Sequence, residues 1–130
     1  MTLYHAYSLA MRILGEDPEA KDTAPHRSRA AVLLSSVCIS LAESDRRYRA
    51  ELGLPEAETV NGFLTLDDSF PLSARFLPAA ACLLASMLTL GENSELSELL
   101  RLEGERERDE AISELPATIT STVQRCGARA

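Results

Sequence analysis

Fifteen consecutive residues, "FLPAAACLLASMLTL" from Phe76 to Leu90, include only two polar side chains, Ser86 and Thr89. A helix-length run with hardly any polar face has to be covered on every side. It falls short of the ~20 apolar residues that a membrane span requires and contains Pro78, so a buried helix is expected and no membrane contact. Pro78 removes a helical hydrogen bond, which predicts either a kink or a fresh helix start near Leu77. Upstream, "DDSFPL" supplies Asp68 or Ser69 as a cap for a helical turn entered through Pro71. The five small residues Ala79, Ala80, Ala81, Ala85 and Ser86 leave room for neighbouring helices to come close.

The cover has to come from the rest of the chain or from another subunit. With 130 residues, 45% apolar and 25% charged, one domain spanning 1–130 is expected. Leu3, Ala6, Tyr7, Ala10, Ile13 and Leu14 recur at helical spacing and stop at Gly15. After the turn-rich "GEDPEAKDTAP", Thr23 and Pro25 open a second helix with Ala30, Leu33, Leu34, Val37, Cys38 and Leu41 on one stripe. "ESDRRYRAELGL" reads as a short charged helix closed by Gly53 and Pro55. Helical spacing fails over residues 59–66, where Asn61-Gly62 and "FLTL" predict a short extended segment or hairpin. "GEN" at 91–93 breaks the chain again, and Asn93 or Ser94 caps a last helix bearing Leu96, Leu99, Leu100 and Leu102. The predicted fold is mainly α: a small bundle of four to five helices around a central apolar helix.

Residues 101–110, "RLEGERERDE", hold eight charges in ten positions. Glu98 with Arg101 and Arg101 with Glu105 stand at i, i+3 and i, i+4, which predicts a solvated ladder or a face that meets a charged neighbour. The net charge is −7, and residues 66–130 carry 11 acidic against 6 basic side chains. Only Arg46, Arg47 and Arg49 cluster as a phosphate-binding surface would need, so sequence-specific nucleic-acid binding is not expected. "PHRSRAAVLLSSVC" lacks the second, recognition helix of a helix-turn-helix.

Reactive chemistry is poorly represented. Asp67 and Asp68 are adjacent and point apart, which suits a helix N-terminus better than a metal or an acid–base pair. His5 and His26 have no partners at metal-ligand spacing. Cys38, Cys82 and Cys126 are an odd, widely spaced set without a CxxC motif, as in buried reduced thiols of a cytosolic protein. No nucleophile elbow or phosphate-binding glycine loop occurs. The chain is therefore expected to be no enzyme, with no cofactor and no metal. The first twenty residues lack the basic start and apolar run of an export signal.

From Leu66 to Glu114 the order of features, "DDSFPL", then "LPAA" opening a small-residue apolar helix, then "GENSE", then a charged helix, resembles the C-terminal half of head-to-tail connector (adaptor) proteins of tailed phages and prophages. The resemblance covers about half the chain. It implies a mainly helical structural protein that forms part of a ring between portal and tail around a DNA channel. Its partners would be further copies of itself and portal or tail components, in the bacterial cytoplasm or the assembled virion. Asp67, Asp68, Pro71 and Leu72 would form the opening turn, Leu77 to Leu90 the central helix, and Glu92 to Glu114 the charged helix. An acidic surface suits a channel through which DNA slides. The alternative from the residues alone is a small cytosolic helical protein–protein interaction module.

Overall fold

Residues 1–57 and 65–124 are described by a computed structural model, with side chains to residue 113. Four α-helices account for most of them: α1 Leu3–Ile13, α2 Ala24–Leu52, α3 Leu77–Thr89 and α4 Ser94–Gln124. Short 3-10 turns, Lys21–Thr23 and Ala74–Phe76, lead into α2 and α3. The mainly helical expectation holds, and the described residues include no strand beyond an isolated antiparallel bridge between Thr2 and Ser69. Residues 58–64, which carry most of the expected extended segment or hairpin, lie outside the described residues, as does Cys126. Thr65 and Leu66 belong to a turn rather than a strand.

Helix α1 buries Leu3, Ala6, Tyr7, Ala10 and Met11, while Ile13 is exposed. The chain leaves it through Gly15, whose φ of 75° suits a residue without Cβ. Two donors of its first turn are satisfied from far along the sequence. Leu3 N–H donates to the Asp68 carbonyl and Tyr4 N–H to the Leu66 carbonyl, each at 2.9 Å, and Phe70 N–H donates back to the Met1 carbonyl at 2.9 Å.

Helix α2 corrects the division at Leu41. It is one helix of 29 residues, with Pro25 in its first turn and Gly53 at φ 68° as its left-handed end. No glycine or proline interrupts it between Pro25 and Gly53. Asp45, Tyr48 and Arg49 keep its second half in contact with the fold. Asp45 is buried, accepting from Arg49 Nε at 2.9 Å and from Ser73 N–H at 3.0 Å. Tyr48 meets Phe76 edge-on at 5.8 Å, with the Arg75 guanidinium 5.8 Å from the Tyr48 ring centre.

Helix α3 packs against α1, α2 and α4, and α4 is its most extensive neighbour. It begins at Leu77 with Pro78 in the first turn, so the proline starts the helix and kinks nothing. The expected cap by Asp68 or Ser69 does not form: residues 65–73 are a connection, and no side chain caps α3. Asn93 does cap α4, accepting from Leu96 N–H at 3.1 Å.

Candidate functional site

The α3–α4 contact is a close helix pair built on small residues. Along α4, Ser97, Gly104 and Ala111 are buried at seven-residue intervals, with Leu100 between the first two. A Cβ on Gly104 would stand 2.8 Å from Leu83 Cδ2 and Cγ and 3.3 Å from Cys82 Cβ, so a side chain there would have to displace Leu83. Seven residues earlier the pair is tied by reciprocal hydrogen bonds. Ser86 Oγ donates to the Ser97 carbonyl and Ser97 Oγ to the Ser86 carbonyl, both at 2.7 Å and both buried. Each hydroxyl is satisfied without water, the condition for placing it between helices.

Beside this seam, α2, α3 and α4 together line a groove of about 360 Å³. Leu83, Met87 and Leu90 of α3 and Val37 and Leu41 of α2 give it an apolar floor, with Ser40 on the α2 wall. The α4 wall is charged and alternates in sign: Glu98, Arg101, Glu105, Arg108. Leu90 at the end of the groove is 67% exposed, and Leu99 and Leu102 on the neighbouring face of α4 are 64% and 49% exposed. The leucine stripe expected for α4 is therefore split: Leu100 goes to the core, Leu99 and Leu102 outward.

The charged ladder pairs as its spacing predicts. Arg101 Nε donates to Glu98 at 3.0 Å and Nη1 to Glu105 at 2.7 Å. Arg106 likewise joins Glu103, through Nε at 3.0 Å, and Glu110. The arginines hold the Glu98 and Glu103 carboxyls below the ordinary carboxylate range, through hydrogen bonds first and charge second. Glu107 moves the other way, because burial disfavours its charged form.

The residues weighed for chemistry have structural positions. Asp68 accepts from Thr65 N–H at 2.6 Å within the turn that docks on α1, and Asp67 is in the same turn. His5 Nδ1 accepts from Thr2 N–H at 3.1 Å at the start of α1, and His26 stands in the first turn of α2. Cys38 and Cys82 are buried free thiols. Burial pushes Cys38 up to about 12; for Cys82 burial, then Glu103 and Glu107, push in the same direction. Among the described residues no group of three or more His, Cys, Asp or Glu could hold a metal ion, and no helix is long and apolar enough to cross a membrane.

Two features escaped the sequence reading. Asp45 lies four residues after Leu41 and three before Tyr48, on the buried face of α2, which is the signal that could have revealed it. The groove had no such signal, because it is made of three helices. Comparison with family models, with curated proteins and with solved structures finds no match to this chain.

Proposed function

We propose that this chain is a non-enzymatic assembly protein that works through the α2–α4 groove. One observation carries the reading: an apolar floor and three half- to two-thirds-exposed leucines lie beside a charged wall, the layout with which proteins receive an amphipathic helix. The hydroxyls of Ser86 and Ser97 are spent on helix pairing, and the floor carries packing groups.

The specific form we propose is a subunit of a phage or prophage head-to-tail connector, part of a ring between portal and tail. The resemblance over Leu66 to Glu114 supports it, together with a mainly helical chain and an acidic second half. In this reading the helices form a bundle around α3, and the Asp67–Leu72 turn, through Phe70 and Leu72, seats that bundle on α1. Mixing the purified chain with the portal protein encoded beside it should give rings by negative-stain electron microscopy and a defined multimer by native mass spectrometry. Neighbouring genes without portal, capsid or tail proteins, together with no ring under any condition, would sink this form.

A second form, a small helical interaction module, is favoured by the sign alternation of the groove wall, which a channel lining does not require. In either form Met87→Asp should abolish partner binding while leaving the far-ultraviolet circular dichroism unchanged. Undiminished binding by that variant would remove the groove from the function.

A further inference from the structure

We propose that the groove is closed by a second copy of this chain, the two α4 helices lying antiparallel about a two-fold axis that crosses the Glu98–Arg108 face at the level of residue 103. The inference rests on the groove being a docking face, and not on the connector form. In a two-fold pair, residues whose numbers share a constant sum face one another. With that sum at 206, Glu98 faces the partner's Arg108 and Arg101 faces the partner's Glu105. Symmetry repeats both pairings, so the wall is its own complement.

The same four side chains select against the alternatives. Sliding by three residues one way, to a sum of 203, sets Glu98 against the partner's Glu105. Sliding three the other way, to 209, sets Arg101 against the partner's Arg108. A parallel pair in register would place every charge on its own kind. Like charges in an interface are penalised, so among two-fold pairs the direction is specified, and the sum of 206 makes more opposite pairings than its neighbours. Each of the four is partly exposed, with side-chain exposures of 56%, 44%, 38% and 34% in chain order. Leu102 stands next to the axis, half-exposed, where the partner's α4 would cover it. Leu83 and Met87 in the floor lie on the same side.

An isologous pair uses up its own face and stops at two, whereas a ring requires head-to-tail contact between different faces. Sedimentation velocity of the full chain over a concentration series therefore tests the inference directly. The expected result is a monomer–dimer equilibrium that weakens with added salt. Arg108→Glu should raise the dimer dissociation constant at least about tenfold, because like charges then meet at both symmetric positions. Exchanging the pair, Glu98→Arg with Arg108→Glu, should restore self-pairing yet give few mixed dimers with the unaltered chain. Arg101→Glu with Glu105→Arg provides the same test at the inner pair. Circular dichroism of each variant should match that of the unaltered chain. A monomer at every concentration, a larger closed ring, or a dimer indifferent to Arg108→Glu would each overturn the two-fold pair. The ring would leave the connector form standing. A monomer whose partner binding is lost in Met87→Asp would leave the groove a docking face for a different protein.

Discussion

Helices α3 and α4 lie against each other along most of α3, yet they meet the solvent in opposite ways. Of the thirteen residues of α3, nine are buried, and its sides are covered by three other helices. Helix α4 is more than twice as long, yet through residue 113 it buries only Ser97, Leu100, Gly104 and Ala111, with Leu96 and Ile112 packed against the core at its edge. The contrast shows that α4 needs no broad apolar face to bind tightly. Small residues every seventh position bring its backbone close, and the rest of its surface is left to charge.

The largest effect should come from filling that close approach. Gly104→Val introduces a branched side chain where even a Cβ would lie 2.8 Å from Leu83. It should cost about 3 kcal/mol, read from urea unfolding, since overpacking typically costs 1–3 and occasionally more. Gly104→Ala should cost less, as the gain in helix propensity of about 1 kcal/mol offsets part of the clash. A fully stable Gly104→Val would mean that the helices do not meet there.

Next in size is Asp45→Ala, which tests whether the other end of the molecule depends equally on one residue. It removes the carboxylate that receives Arg49 and the Ser73 N–H and should cost about 2 kcal/mol. Hydrogen exchange should quicken around Ser73 more than in α4. Equal protection at the two places would contradict the anchoring of Ser73 by Asp45.

The serine pair follows. Ser86→Ala and Ser97→Ala should each cost about 1 kcal/mol by removing a buried hydrogen bond, and the double variant less than the sum, because the two hydroxyls also lie 3.2 Å apart and either substitution already removes that contact. Strict additivity in chemical denaturation would show that the two hydroxyls act separately.

The smallest effect belongs to the exposed ladder. Arg101→Ala should shift the thermal midpoint less than any change above, since exposed ion pairs contribute little. Its pH dependence has a definite sign. Glu98 and Glu103 have folded values below the ordinary one, so their contribution is present above that ordinary value, near 4.5, and is lost as pH falls through the depressed values. Cys38 works at the opposite end. Its folded value is raised to about 12 from 9.0, so its contribution is complete below pH 9 and disappears as the pH climbs toward 12. Unfolding titrations at the two extremes should show both losses, the alkaline one reduced in Cys38→Ala, with Cys82 supplying part of what remains.

Much of this architecture was legible in the amino-acid order. The helix at Leu3, the start of α2 at Thr23 and Pro25, the stops at Gly15 and Gly53, the Asn93 cap and the Arg101 pairs depend on neighbours within four residues. Such local rules were less informative where a distant segment competed. The Asp67–Ser69 stretch has the composition of a helix cap, yet its backbone carbonyls and those nearby cap α1, more than sixty residues away. The charged residues from Glu43 to Glu51 suggested a separate helix, but buried Asp45 and Tyr48 hold them in line with the first half of α2. The groove was illegible, because no single helix contains it.

The residue order by itself determined that the chain is mainly helical, that most of Phe76 to Leu90 must be covered, though Leu90 is left exposed, and that α4 carries an alternating ladder of charge. These follow from hydrophobic spacing, the special backbones of glycine and proline, and pairing within one helical turn. Only the tertiary structure decided that α1, α2 and α4 supply the cover, that Leu99 and Leu102 point outward while Leu100 points in, and that one edge of the ladder becomes the wall of a groove. The physical reason is that burial depends on which surfaces meet across long stretches of chain, whereas periodicity records only that a face exists.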